Sequence, residues 1–359
     1  MSKEIDLLKQ AAEALTAWYC DVERPLPWRQ SPTPYHVWLS EIMLQQTRIE
    51  AVIPYYERFV RELPDVAALA AVEDERLMKL WEGLGYYSRA RNLKKAAVTI
   101  MEQYGGELPR TARELRKLSG IGPYTAGAIA SIAFCEPEPA VDGNVLRVVS
   151  RLLADPSDIM LPATRERVTE QLRATYPEAG QGCRLLTQAW MELGERVCIP
   201  NGTPHCEDCP VRALCLAREA GTEEEYPVRS AKKSRRIEPR TVLLLFCGDR
   251  FAVRRRPDTG LLAGLWEFPS LDGAVSEDDV REYLHDLGIE AGMMTPTAPA
   301  KHIFTHIEWH MSGFTVDCAG RGENDLRWVT AEEWVRDFAA PTAYRAFTEA
   351  VVEKNFEKF

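Results

Sequence analysis

The 359-residue sequence lacks a basic balance: 44 Lys and Arg face 54 Asp and Glu, a formal charge of −10 that, taken whole, argues against a nucleic-acid binder. It lacks long apolar runs. The longest, Thr241–Cys247 and Ala126–Phe134, fall well short of the roughly 20 residues a membrane span requires, so no membrane segment is expected. The start, MSKEIDLLKQ, has no apolar stretch and no arginine-rich, acid-poor character, and the expectation is a cytoplasmic protein without a secretory or transit peptide. Internal repeats and low-complexity tracts are missing too. Nine cysteines are too few, and odd in number, for a disulfide framework; in a reducing compartment clustered ones read first as metal ligands. What remains, 45% hydrophobic and 27% charged, is the composition of a folded soluble protein long enough for two ordinary domains.

Residues 1–220 carry helical periodicity, with apolar residues at i, i+3 and i+4 between short Pro, Gly or Ser breaks. The pattern predicts helices over Ile5–Tyr19, Tyr35–Ile49, Asp74–Leu80, Arg89–Tyr104, Ala112–Leu118, Pro123–Phe134, Asn144–Leu153, Arg165–Ala174 and Cys183–Leu193. Arg24–Pro34, with four prolines, reads as a connector. Residues 221–240 read as a linker, an acidic triplet Glu223–Glu225 followed by Lys232, Lys233, Arg235, Arg236 and Arg240. Residues 241–359 read as an α+β domain with strands at Thr241–Cys247, Phe251–Arg255, His302–Thr305, His310–Val316 and Leu326–Val329, and helices at Glu277–Leu287 and Ala343–Glu353. Residues 1–220 sum to −4 and 221–359 to −6, so a nucleic-acid site must be local. Ser88–Lys95 holds Arg89, Arg91, Lys94 and Lys95 without an acid, and Arg110–Lys117 holds four basic residues against Glu114. On charge alone such runs are ordinarily solvated helix faces.

Cys198, Cys206, Cys209 and Cys215 are spaced C-x7-C-x2-C-x5-C within 18 residues. Four thiolates in one short loop suit zinc or an iron–sulfur cluster, and the spacing leaves both open. His205 reads as a surface residue, and the other five cysteines as core. In Leu118-Ser-Gly-Ile-Gly-Pro-Tyr-Thr-Ala126, Gly120 and Gly122 would permit a tight turn with positive φ and Pro123 would start a helix whose N–H groups can face a phosphate, the pattern of a helix-hairpin-helix. Such an element contacts DNA backbone without needing a basic domain. Glu41 borders the apolar stripe of its helix one turn from Gln45, with Gln46 on the stripe, and Asp142 precedes a helix it could cap. Each has a bland reading alone. Together, two carboxylates flanking one glycosidic carbon are what glycoside cleavage requires, one protonated and one ionised.

SEIMLQQT, GLGYYSRARN, LSGIGPYTAGAIASIAF, VDGNV, MELGERVC and the four-cysteine loop together resemble the A/G-specific adenine DNA glycosylase family of base-excision repair, within the helix-hairpin-helix superfamily that includes endonuclease III. The resemblance covers essentially the whole chain. It implies a monomer acting on double-stranded DNA, nucleoid-associated in a bacterial cell, that flips out adenine opposite 8-oxoguanine, or G, and hydrolyses its N-glycosidic bond to leave an abasic site. It implies Glu41 as the acid that protonates adenine N7 and Asp142 as the residue that stabilises the C1′ cation, supported by Tyr124 and Asn144. Trp28, Arg29 and Glu192 resemble the adenine pocket, and Gln46 and Tyr86 the residues that probe and wedge the 8-oxoguanine side. Arg89, Arg91, Gly120 and Gly122 are expected at DNA. The bifunctional glycosylase/lyases place a lysine where this chain has Tyr124, so no efficient lyase step is expected. The resemblance also implies one [4Fe–4S] cluster on the four cysteines, although seven residues separate Cys198 from Cys206 where the family usually has six.

The carboxy-terminal domain resembles the Nudix-like module with which the family recognises 8-oxoguanine. His285 and Asp286 stand where a Nudix hydrolase would carry two glutamates, so nucleotide hydrolysis is not expected and binding remains. Phe304, Thr305 and His306 match the family's recognition loop, usually Phe-Ser-His; threonine keeps the hydroxyl and adds a methyl.

Overall fold

The computed structural model describes residues 3–231 and 234–356, so Lys232 and Lys233 of the expected linker lie outside the described residues. The chain divides into two compact units: residues up to Val72 together with Arg91–Ala231, and Glu73–Ala90 together with the chain after Ala231. Among the described residues no helix is long and apolar enough to cross a membrane.

The first unit is helical. In helix Lys3–Val22, Leu8, Ala11, Leu15 and Tyr19 follow the helical period and are fully buried. They share a core with Val145 and Val149 of helix Gly143–Leu153 and with Leu186, Trp190 and Leu193 of helix Gln181–Arg196. Each such aliphatic side chain contributes about 1.5–3 kcal/mol. Elsewhere in the unit, Pro34–Met43 packs on Pro123–Phe134, whose run of Ala126, Gly127, Ala128 and Ala130 lets the backbones approach. Proline opens both helices at the first turn, and the Thr33 hydroxyl accepts the His36 N–H.

The sequence predicts one helix over Tyr35–Ile49; the structure has two, Pro34–Met43 and Ile49–Glu62. They are separated by a turn in which Gln46 takes φ 60°, so Gln46 stands exposed in the turn and not on a buried stripe. A short helix, Val66–Ala71, capped by Asp65 accepting from Ala68 N, also escaped the sequence reading.

The second unit is an eight-stranded sheet with helices on both faces. Its strands are β1 (Arg236–Cys247), β2 (Arg250–Arg255), β3 (Trp266–Glu267), β4 (Ser270–Asp272), β5 (Ala291–Pro296), β6 (Ala300–Ile303), β7 (Ile307–Cys318) and β8 (Arg327–Val329). The order β3-β2-β1-β7-β5 is antiparallel except for the central β1/β7 pair, parallel from Arg236↔Ile307 to Phe246↔Asp317. β1 begins at Arg236, inside the stretch expected as linker, because its first residues already pair with β7. Alternation along β1 sends Val242, Leu244 and Phe246 to a core with Trp334, Phe338 and Tyr344, and Leu243 and Leu245 to a core with Val280 and Leu284. In the first of these layers Glu267, 1% exposed, receives Arg254 Nε at 2.9 Å, the Tyr344 hydroxyl at 2.6 Å and Arg256.

Glu73–Ala90 belongs to this unit although no composition shift marks it. Lys79 Nζ donates to the Phe338 carbonyl at 3.0 Å, and the Glu82 carboxylate accepts from Ala340 N at 2.7 Å.

Candidate active site

Four segments of the helical unit converge on a cavity of about 250 Å³, whose wall includes Trp28, Arg29, Glu41, Tyr124, Asp142 and Asn144. Glu41, 7% exposed, lies near the end of helix Pro34–Met43, and its Oε2 accepts the Tyr124 hydroxyl at 2.7 Å. Burial pushes the Glu41 carboxyl up to about 7; the Tyr124 bond and Arg29 oppose this, and the nearby Asp142 charge reinforces it. Burial beside those two carboxylates holds the Tyr124 phenol far above its ordinary range.

Asp142 is the N-cap of helix Gly143–Leu153: Oδ1 accepts Val145 N at 2.8 Å and Oδ2 accepts Asn144 Nδ2 at 3.0 Å. Burial raises its carboxyl, and the backbone N–H groups of Val145 and Asn144 with Arg147 and Arg165 pull the other way. Asn144 Oδ1 accepts Arg147 Nη2 at 3.0 Å, and Arg147 also donates to the carbonyls of Gly194 at 2.6 Å and Cys198 at 2.8 Å. Two glycines make room for this corner. A Cβ on Gly127 would lie 2.3 Å from the Pro139 carbonyl, and one on Gly194 would lie 2.8 Å from Asn144 Cβ.

Trp28 is buried edge-on against Tyr56, at 5.3 Å between ring centroids. Glu192, 1% exposed, is shared by Arg24 and Arg29, the latter at 2.8 Å. Burial alone would raise its carboxyl, but the hydrogen bonds from the two arginines hold it below its ordinary value. Sequence reasoning missed Arg24, Arg147, and Gln188 of the cavity wall, whose Oε1 accepts the Tyr19 hydroxyl at 2.6 Å. Gln188 had a signal: it lies one helical turn before Glu192 on a buried face.

The hairpin expectation needs one correction. Gly120 has φ +76°, and a Cβ there would meet Asn92 Cβ at 2.7 Å, whereas Gly122 is the extended N-cap of Pro123–Phe134 with φ −85° and does not use the left-handed region. Arg91 lies on helix Ser88–Gln103. Arg89, expected at DNA, is 7% exposed: it donates to the carbonyls of Leu84 at 3.0 Å and Gly85 at 3.2 Å and stacks near Trp81 and Tyr86. Its arginine character serves the turn that presents Tyr86, because a planar cation satisfies two carbonyls and two rings at once.

Cys198, Cys206, Cys209 and Cys215 line one small pocket with Arg151, whose Nη1 donates to Cys198 Sγ at 3.3 Å. Burial pushes the Cys209 thiol up to about 12, and the other three cysteines add to the shift. Four half-buried sulfurs beside Arg151, Arg212 and Arg218 are a donor set of the kind an iron–sulfur cluster takes. Among the described residues, no three His, Cys, Asp or Glu side chains are arranged closely enough to hold a metal ion.

In the sheet unit, Phe304 N donates to the Ile307 carbonyl at 2.8 Å, closing a tight turn between β6 and β7 with Thr305 and His306 exposed at its tip. The strand expected through Thr305 ends at Ile303 because of this turn. Phe304 packs edge-on to Trp309 at 4.9 Å, and the Tyr86 hydroxyl lies 3.3 Å from Thr305 Oγ1. His285 and Asp286 stand exposed at the end of helix Glu277–Asp286.

Two family models match the chain, the HhH-GPD superfamily base excision DNA repair protein over residues 39–177 and the NUDIX domain over residues 241–350. The adenine DNA glycosylase of Homo sapiens is 34% identical over 389 residues, covering 89% of this chain and 70% of the human protein. That of Mus musculus is 35% identical over 385 residues, covering 89% and 74%. Among solved structures, a thermostable thymine-DNA glycosylase superposes with a TM-score of 0.54 at 25% identity, over 60% of this chain and 98% of that chain.

Proposed function

Because the chain belongs to the adenine DNA glycosylases of base-excision repair, we propose that it excises adenine opposite 8-oxoguanine, or G, as a monofunctional hydrolase. Glu41 acts as the acid and Asp142 as the anion facing the sugar. The observation that carries this reading is the pair itself: two carboxylates line one base-sized cavity, and the Glu41 carboxyl lies near 7. At neutral pH a large share of Glu41 is protonated, so it can give its proton to adenine N7 as the C1′–N9 bond breaks and its electron pair moves into the base. Asp142 stabilises the positive charge that develops on the sugar, and water adds at C1′. Acid catalysis of this kind is worth on the order of 10²–10⁴-fold.

Tyr124 cannot substitute for an amine nucleophile: its phenol is committed to Glu41 and is held far above its ordinary pKa. Trp28 and Arg29 bound the adenine pocket, and Glu192 behind them holds Arg29; the Gly120–Gly122 hairpin and Arg91 take backbone phosphates; Gln46, Tyr86, Phe304, Thr305 and His306 address the 8-oxoguanine. The enzyme works as a monomer. Cys198, Cys206, Cys209 and Cys215 would hold one [4Fe–4S] cluster, which would tie their loop together, with hydrolysis left to Glu41 and Asp142.

A single-turnover assay on duplexes with A opposite 8-oxoguanine and A opposite G, with Glu41→Gln as control, tests the reading. Wild-type protein should release adenine from both, faster opposite 8-oxoguanine, and Glu41→Gln should release almost none. Adenine left in place by wild type refutes it, and borohydride trapping of a covalent enzyme–DNA complex refutes the monofunctional part.

A further inference from the structure

We propose that Arg165 is a positioning residue for excision, holding the peptide that precedes Asp142 and presenting a fixed positive charge to that carboxylate from a neighbouring helix. The proposal rests on the assignment of Asp142 to the sugar cation. Arg165 lies in the first turn of helix Pro162–Arg173, and its Nη1 donates to the Val141 carbonyl at 2.6 Å. Val141 is buried and immediately precedes Asp142, so this bond fixes the chain where it turns into the cap. The Asp142 oxygens are themselves engaged by Val145 N and Asn144 Nδ2, both on the helix that Asp142 begins. Those contacts orient the carboxylate relative to its own helix, and Arg165 ties that helix start to another element.

Arg165 also belongs to a second, larger groove of about 930 Å³ that shares Tyr124 with the catalytic cavity and carries Arg113, Arg116, Lys117 and Arg173 on its wall beside Glu138, Glu166 and Glu170, two of which pair with Arg173. A guanidinium has five N–H donors, and Arg165 is exposed, so it can keep the Val141 carbonyl while another N–H meets a DNA phosphate in the groove. Its position would thus be reinforced by substrate at the moment Asp142 is needed.

The titratable and charged groups acting with Asp142 come from four helices: Glu41 of Pro34–Met43, the neutral Tyr124 phenol of Pro123–Phe134, Arg147 of its own helix, and Arg165. Glu41 disfavours a second negative charge when ionised, and the two arginines favour it. Arg147 reaches Asp142 through Asn144, and Arg165 through the backbone before it. Removing Arg165 therefore raises the pH at which Asp142 ionises, leaves the proton on Glu41 in place, and displaces only the acid side of the rate profile.

The test is the pH profile of single-turnover excision at saturating enzyme for wild type, Arg165→Gln, Arg165→Lys and Asp142→Asn. Saturation removes any loss of DNA affinity from the rate. Arg165→Gln should move the acid limb upward by about half to one pH unit and slow the reaction ~3–10-fold on that limb. Arg165→Lys, which keeps the charge, should restore most of the limb. An acid limb unmoved in Arg165→Gln, or a lysine variant displaced as far as the glutamine variant, overturns the proposal. Wild-type rates for Asp142→Asn would overturn it together with the assignment of Asp142, whereas a dead Asp142→Asn beside an unmoved Arg165→Gln removes Arg165 alone. Should Arg165→Gln fail to fold, judged by its melting temperature, the lysine variant carries the test: wild-type limb supports the proposal, and a limb displaced upward overturns it.

Discussion

The phenol oxygen of Tyr86 and the hydroxyl of Thr305 stand 3.3 Å apart across 219 positions of sequence. Tyr86 is 51% exposed and holds φ 46°, a left-handed conformation that a non-glycine residue rarely adopts, in a turn braced by buried Arg89. Thr305 is exposed at the tip of the β6–β7 turn. Two exposed side chains, one on a strained backbone, meet where the family resemblance puts contacts to the damaged base. Strain of this kind persists only where the surroundings enforce it.

Thr305→Ala should lower the preference for A opposite 8-oxoguanine over A opposite G by ~3–10-fold, the worth of one net hydrogen bond. Combined with Tyr86→Phe, the loss should be less than the sum of the two, because each removes the other's partner. Single-turnover rates on both duplexes measure it; strictly additive losses count against a working pair.

The excision rate should fall with rising pH through about 7, as Glu41 loses the proton it donates. Tyr124→Phe removes a bond that favours ionised Glu41, so its alkaline limb should move to higher pH, with a reduced maximum from lost orientation. A profile flat to pH 9 would remove Glu41 as the acid.

Gly194→Ala sets a methyl 2.8 Å from Asn144 Cβ, so either helix must shift, at a cost of about 1–3 kcal/mol. Because Asn144 holds Asp142, excision should drop more than DNA affinity does. A variant with reduced stability but an undiminished rate would show that the Asn144 contact is dispensable.

Purified protein should carry four iron and four inorganic sulfide per chain, with the visible absorption of an iron–sulfur cluster. Cys209→Ser, at one of the four half-buried thiols, should lose both and weaken DNA binding. Stoichiometric zinc in their place would reassign the loop.

Glu267→Ala strands Arg254 and Arg256 in a buried layer and leaves the Tyr344 hydroxyl without its acceptor. The sheet unit should lose about 3–5 kcal/mol, read as a lower unfolding midpoint. A smaller loss for Glu267→Ala than for an exposed-pair variant such as Arg345→Ala would contradict the burial argument.

Glu41 beside an apolar stripe and Asp142 ahead of a helix each have an ordinary reading alone, and only as a pair did the sequence single them out; the structure lines one cavity with both. The Arg147 connection was not, since two of its acceptors are backbone carbonyls about fifty residues away, at Gly194 and Cys198, and a carbonyl leaves no trace in the side-chain pattern. Arg89 misled for a related reason: a run of basic residues suggests a solvated face, and nothing in it reveals that one guanidinium turns inward onto Trp81 and two carbonyls. The break at Gln46 was hidden because the turn uses a left-handed glutamine where glycine or proline would have marked it. In the sheet unit the alternation along Thr241–Cys247 was plain, but β5 and the helix Ala331–Asp337 were too short or too mixed in polarity to stand out.

The order of the chain and its physical partition do not coincide, since Glu73–Ala90 is built into the unit made by the chain after Ala231. Cutting at Ala231 would remove the carbonyl that holds Lys79, the amide that holds Glu82 and the hydroxyl opposite Tyr86. A catalytic fragment prepared that way has an injured surface of its own. Its shortcomings would mix the loss of the sheet unit with a loosened stretch of the part that was kept, and only point changes at the β6–β7 turn separate the two.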